Sequence, residues 1–244
     1  MEHVYKFEPN RHLAAKQLPK VRLAKDLGYS EDTGVSPVAY SEAFQLFTPE
    51  AIRIMRAEIE KPEIRETYSF SSNIADSQLR GYAKEHAPFT YQAWNHPETL
   101  KLISAIAGIE LVPVMDYEIG HINLSTNAKT ANEGQGNGTE CGRSNGVNAS
   151  MGSSHNEDDD KPIVGWHTDS YPFVCVLMMS VCTGMIGGET VVRTADGDIR
   201  KIRGPAQGCA MLLQGRYVTH QAMRARGGKE RITSVTSFRP KSPF

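Results

Sequence analysis

From Lys161 onward the chain is cut into short apolar runs, each closed by turn residues: "VGWHTDSYPFVCVLMMSV", "GGETVVRT", "ADGDIRKIRG", "CAMLLQGRYVTHQ" and "RITSVTSF". Runs of this length, rich in Val, Thr and Ile and punctuated by Gly, Asp and Pro, predict strands of an antiparallel sandwich or barrel, with Asp196-Gly197 as a hairpin turn. Further upstream, in "LVPVMDYEIGHINLS", Tyr117, Ile119, His121 and Asn123 alternate, which predicts a strand with a polar and aromatic inner face.

The amino-terminal half has a different period. In "FTPEAIRIMRAEIEKPEI" Thr48 is placed to cap, Pro49 suits the first helical position, and Ile52, Met55 and Ile59 recur at helical spacing until Pro62. A second amphipathic helix is predicted in "HPETLKLISAIAG", with Pro97 at its start, Leu100, Ile103 and Ala107 on one stripe and Gly108 as its stop. The expected organisation is one domain spanning residues 1–244. It has an arm over 1–35 with no clear period, a helical flank over 36–108 and a β core over 109–244. Residues 126–160, rich in Gly, Asn, Ser and Asp, are expected to form a flexible insertion without a core of their own. The fold class is thus mainly β with flanking helices.

Composition narrows the partners. A net charge of −1 gives no electrostatic footprint for nucleic acid or an anionic membrane, so a small-molecule substrate is expected, with oligomeric state left open. The amino terminus mixes charges and prolines without an apolar stretch, and Cys141, Cys175, Cys182 and Cys209 form no C-x-x-C pair. Both features predict a soluble, intracellular, cytoplasmic protein in a reducing compartment. The sequons at Asn123, Asn137 and Asn148 have no role there.

Three H-x-[DE] triplets occur, and context separates them. His96-Pro97-Glu98 straddles a helix start, and His155-Asn156-Glu157 lies in the glycine-rich insertion. His167-Thr168-Asp169 alone enters a strand, where residues i and i+2 face the same way, so imidazole and carboxylate converge. Two His and one carboxylate on one face of an octahedron form the iron(II) site of many oxygenases. His220, 51 residues after Asp169 at the end of another strand-like run, completes such a set. Eleven residues later, Arg231 and Thr233 share a strand face and are suited to grip a carboxylate, which points to a dicarboxylic cosubstrate.

In this ordered set, from Leu111 to Pro240, the chain resembles the Fe(II)/2-oxoglutarate-dependent oxygenases built on the double-stranded β-helix, the cupin-like jelly roll. Its runs "HTDSYPFVCVLMMS" and "GGETVVRTADG" are similar to a fungal branch often found in secondary metabolism. The resemblance implies that His167, Asp169 and His220 hold Fe(II) and that Arg231 and Thr233 bind the far carboxylate of 2-oxoglutarate. It implies consumption of O2 with release of succinate and CO2, hydroxylation being the default outcome and desaturation, cyclisation or epimerisation remaining open. Family practice also makes Tyr117 or Asn123 a hydrogen-bond partner of 2-oxoglutarate, with His121 beside them in the pocket as a substrate-binding residue.

Other residues follow by strand parity. Gln214 and Arg216 alternate with Val218 and His220 and are expected to face the pocket, Arg216 as a substrate-carboxylate ligand. Arg239 has the parity of Arg231 and rivals it as cosubstrate anchor, or serves the substrate. These inward arginines predict a carboxylate-bearing substrate. Two other readings stand beside this one: a nucleic-acid-demethylating oxygenase, disfavoured by the charge balance, and a non-catalytic cupin-type metal-binding protein, which would not need Arg231.

Overall fold

The computed structural model describes residues 5–71, 77–126, 162–204, 206–228 and 230–242. Strands are numbered here in chain order. A ten-stranded sheet takes β1 (Val21–Leu23), β2 (Val38–Ser41), β3 (Phe44–Gln45), β4 (Ser69–Phe70), β5 (Ser77–Leu79), β6 (Leu111–Pro113), β7 (His121–Thr126), β9 (Phe173–Met178), β13 (Cys209–Leu213) and β16 (Glu230–Pro240). A four-stranded sheet takes β8 (Pro162–His167), β11 (Thr190–Arg193), β12 (Ile199–Ile202) and β14 (His220–Met223), and β10 (Ile186–Gly187) pairs with β15 (Ala225–Arg226). The large sheet is ordered β1-β2-β13-β9-β16-β7-β5-β4, with β3 on β13 and β6 on β16; the small one is ordered β12-β11-β14-β8. Every pairing is antiparallel.

Two cores explain why β9 reads as an unbroken apolar run. Phe173, Cys175 and Leu177 enter a core formed with the helices on the outer face of the large sheet, whereas Val174 belongs to a second core that fills one end of the space between the sheets. A strand covered on both faces has no polar side to alternate with. Trp94 anchors the helical side, edge-on to Phe47 with ring centroids 5.4 Å apart and tilted against Phe238 at 6.1 Å. Each such fully buried aromatic contributes about 1.5–3 kcal/mol.

Both predicted helices form. Pro49–Ile59 is capped by the Thr48 hydroxyl, which accepts from the Ala51 N–H at 3.3 Å, and Pro97–Ala107 stops at Gly108 with φ +70°. A further helix, Pro88–Asn95, is capped across the fold: buried Glu58 accepts from the Phe89 and Thr90 N–H groups at 2.8 and 2.9 Å and from the Thr90 hydroxyl at 2.7 Å. The Asp196-Gly197 turn joins β11 to β12, with Gly197 at φ +90°.

The helical flank is less helical than expected, since residues 36–108 also supply β2 to β5 of the large sheet. The arm is docked. Phe7 is buried edge-on to Phe47 and Phe89, Leu27 joins the second core, and the Tyr29 hydroxyl donates to the Arg193 carbonyl at 2.8 Å. Isolated anchors of this kind leave no period to read. The predicted insertion lies outside the described residues apart from Thr126, the last residue of β7. No helix among the described residues is long and apolar enough to cross a membrane.

Candidate functional site

The inner faces of the two sheets enclose a cavity of about 390 Å³. Strand parity assigns its walls. On β16, Ile232 and Phe238 point to the helical core, leaving Arg231, Thr233, Val235 and Ser237 to line the cavity; on β7, Ile122 points out and His121, Asn123 and Ser125 point in. From the small sheet come Ile163, Val164, His167, Thr190, His220 and Ala222.

His167 ends β8 and His220 begins β14, and the register places them directly opposite each other. Their ring centroids are 4.3 Å apart. Each Nδ1 faces a carbonyl two residues upstream, Gly165 at 2.8 Å for His167 and Val218 at 2.9 Å for His220. Because a carbonyl only accepts, each Nδ1 carries the ring proton and each Nε2 presents a lone pair. Both lone pairs face one carboxylate: His167 Nε2 lies 3.7 Å from Asp169 Oδ1, and His220 Nε2 lies 3.5 Å from Asp169 Oδ2. Burial lowers the pKa of His220 while Asp169 opposes that shift, and a neutral imidazole is the form that binds metal.

These three side chains offer ligand atoms that all lie within 4.8 Å of one another. Asp169 Oδ2 is buried without a hydrogen-bond partner among the described residues, a costly arrangement unless a cation satisfies it. Two imidazole nitrogens and one carboxylate, partly open to a cavity, suit a first-row divalent metal such as Fe(II). The Asp169 N–H donates to the Gly215 carbonyl at 2.9 Å, and the bare Cα of Gly215 lets the carboxylate lie against the turn that precedes β14.

On the opposite wall Arg231 is buried, and its Nε has no partner among the described residues while its NH2 donates to the Gly188 carbonyl at 3.3 Å. Burial lowers its pKa, opposed by Cys182 and Glu189, but a guanidinium remains charged. Gly188, at φ +76°, packs against it so closely that a Cβ would lie 3.2 Å from Arg231 Nε. A buried cation with a free donor, next to the Thr233 hydroxyl, is suited to an anionic group. Asn123 also faces in, its Oδ1 held by the Gln78 Nε2 at 2.7 Å.

Four expected site residues lie elsewhere. Tyr117 sits in a short 3-10 helix, Asp116–Glu118, half-exposed beneath the Arg80 guanidinium, because the expected single strand is interrupted there and resumes only at His121 after Gly120 with φ +68°. Gln214 is buried away from the cavity: its Oε1 accepts from the Val35 and Ser36 N–H groups and its Nε2 donates to the Ser36 and Val38 carbonyls. Arg216 is exposed and donates to the Ser170 carbonyl at 2.8 Å. Both expectations failed because the run is not continuous; β13 ends at Leu213, a turn follows, and β14 starts at His220, so parity does not carry across. Arg239 keeps the parity of Arg231 but lies exposed at the far end of β16, bonded to the Pro240 carbonyl.

The cavity also takes Phe70, Gln78, Arg80 and Glu118, which the sequence did not single out. Gln78 lies on the short strand β5 and Phe70 on the two-residue β4, too brief for a legible period. Trp166 is outside the cavity, stacked under the Arg193 guanidinium at 4.2 Å.

No family model matches the chain, and no curated protein matches it. Solved structures do. An oxidoreductase of the 2OG-Fe(II) oxygenase family from Burkholderia pseudomallei superposes with TM-score 0.50 at 14% identity, covering 76% of each chain. The fold is the double-stranded β-helix. The non-heme alpha ketoglutarate dependent epimerase SnoN from nogalamycin biosynthesis gives TM-score 0.54 at 13% identity over 89% of this chain and 82% of its own. AviO1 from Streptomyces viridochromogenes gives 0.51 at 15% identity over 92% and 98%. At such identities the likeness extends to the fold of the jelly roll, and the chemistry must be argued from the cavity.

Proposed function

We propose that this protein is an Fe(II)- and 2-oxoglutarate-dependent oxygenase that hydroxylates a small molecule, consistent with a place in secondary metabolism. The observation that carries this reading is the coexistence, in one cavity, of the His167, Asp169 and His220 set and a buried Arg231 with an unpartnered Nε. A metal-binding protein without catalysis needs the first and has no use for the second.

In this reading His167, Asp169 and His220 hold the iron, and Arg231 with Thr233 holds the far carboxylate of 2-oxoglutarate. The iron and cosubstrate held there would supply the chemistry of C–H hydroxylation, with O2 as the oxidant, one of its oxygen atoms passing to the product and the other to succinate as 2-oxoglutarate loses CO2. The chain's own contribution is positional. The Gly165 and Val218 carbonyls fix both imidazole tautomers, Gly188 braces the Arg231 guanidinium, and Val174, Val176 and Val235 give the space between an apolar wall. The inward arginines behind a carboxylate-bearing substrate do not reach the cavity, and that part of the expectation falls with them.

The test is anaerobic addition of Fe(II) and then 2-oxoglutarate, followed by exposure to air. A visible charge-transfer band and succinate formation are expected. Tight metal binding with neither would leave the cupin-type binder as the better reading.

A further inference from the structure

Arg80 and His121 meet at the end of the cavity wall by strand register. In β5 and β7, Gln78 pairs with Asn123 and Leu79 with Ile122, so Arg80 comes next to His121. Leu79 and Ile122 point into the helical core, and their neighbours therefore point into the cavity, which both Arg80 and His121 line. Arg80 NH2 is 3.2 Å from Glu118 Oε2, and Glu118 is 5% exposed, so the pair is charge-balanced where it stands. Arg80 Nε and His121 Nε2 are each buried with no hydrogen-bond partner among the described residues. The Phe70 ring lies nearly parallel to the imidazole, 24° and 6.3 Å between centroids, and is itself part of the wall.

We propose that Arg80, Glu118 and His121 form a charge-neutral subsite that binds the hydroxyl of an uncharged ring-bearing substrate. This rests on the oxygenase reading, which reserves Arg231 for the cosubstrate. Arg80 and Arg231 are the only Lys or Arg side chains lining the cavity among the described residues. A substrate carboxylate beside Arg80 would place two anions around one guanidinium already neutralised by Glu118, leaving a buried negative charge uncompensated. A hydroxyl adds no charge and answers both orphaned atoms: its oxygen accepts from the Arg80 Nε–H, and its proton goes to His121 Nε2. Burial and the Arg80 charge hold the His121 pKa down to about 4, so the ring is neutral at pH 7 and available to accept. Phe70 gives a flat ring a surface to lie against.

The full-length protein, loaded with Zn(II) in place of iron and with 2-oxoglutarate, is titrated with benzyl alcohol and cyclohexanol and with their charged counterparts, benzoate and cyclohexanecarboxylate. The ring-15N signals of His121, assigned by their absence in His121→Gln, are followed by NMR. Saturable shifts with the alcohols are expected, with no shift by the carboxylates at equal concentration, and at least a fivefold loss of alcohol affinity in Arg80→Met. Glu118→Gln, which frees the Arg80 charge, is expected to tighten carboxylate binding at least tenfold. Where Arg80→Met does not fold, Arg80→Lys, which keeps the charge without the Nε–H, should lose alcohol affinity alike. Carboxylates that bind the wild type as well as the alcohols do, or the failure of both alcohols to shift His121, would overturn the subsite. Zinc and 2-oxoglutarate uptake is read separately from the His167 and His220 signals. Its failure counts against the oxygenase reading, while a parallel His121 titration on metal-free protein still decides the subsite.

Discussion

Gly215 lies so tightly against Asp169 that a Cβ built on it would fall 1.8 Å from Asp169 Oδ2. The glycine is required by the carboxylate and not by its own backbone, whose φ is not in the left-handed region. Gly215→Ala is therefore expected to fold but to displace the metal-facing oxygen. Metal affinity should fall about 10- to 100-fold, the range seen when groups that orient ligands are removed. A metal titration of the variant matching that of the wild type would count against this role for Asp169.

His167→Ala removes one lone pair from the set and leaves His220 and Asp169 facing an incomplete site. Iron should no longer survive gel filtration, and succinate formation should drop by more than about 100-fold, beyond the effect of outer positioning groups. Elemental analysis of the eluted protein and a succinate assay read the two effects separately.

Arg231→Ala should leave iron content unchanged and raise the half-saturating concentration of 2-oxoglutarate about 10- to 100-fold, as expected for losing hydrogen bonds from a charged donor. Arg239→Ala, at the exposed end of the same strand, should behave as wild type. The reverse pattern in initial-rate kinetics would move the anchor to Arg239.

The His121 pKa, about 4 in the fold against an ordinary 6.5, makes stability depend on acid. The folded state binds fewer protons than the unfolded chain between these values, so this contribution is whole above pH 6.5 and is lost as the pH falls toward 4, by about 3 kcal/mol. His12 and His220 are depressed in the same direction, but they remain in His121→Gln and cancel in the comparison. Urea unfolding at pH 7 and pH 4 should find the variant losing about 3 kcal/mol less than wild type. Equal losses in both proteins would refute the buried, neutral state of this ring.

Glu58→Ala leaves two helix N–H groups and the Thr90 hydroxyl without their acceptor. A cost of about 3 kcal/mol is expected, a fall in Tm of roughly 6–12 °C for a chain of this size. A melt shifted by less than a degree would mean that water takes over the cap.

What the sequence made legible follows from local physics. The two helices were readable because Thr48, Pro49, Pro97 and Gly108 act through their immediate neighbours. The convergence of His167 and Asp169 was expected from a shared strand face, yet β8 ends at His167 and Asp169 lies beyond it, its backbone held by the Gly215 carbonyl; the Asp-Gly hairpin was readable because its glycine supplies the positive φ. Parity failed wherever the strand broke unseen. Gly215 turns the chain before His220 and takes Gln214 and Arg216 out of phase, and the 3-10 turn at Asp116–Glu118 carries Tyr117 out and Glu118 in. Arg80 was invisible for another reason: it follows a three-residue strand whose partner, β7, is some forty residues away, a pairing that only the assembled sheet defines.

The strand order β1-β2-β13-β9-β16-β7-β5-β4 has a kinetic consequence. Apart from β1-β2 and β5-β4, neighbours in space are distant in the chain, and the imidazole pair spans the ladder between β8 and β14, residues 167 and 220. Loop closure of that length is slow, and the three ligand atoms converge only after the small sheet has formed. Before the sheet forms, a divalent ion thus finds at most the local His167 and Asp169 pair, without His220. It acts on the finished fold by mass action, slowing the loss of the native state without hastening its formation, so added metal should steepen resistance to unfolding while leaving the refolding rate unchanged.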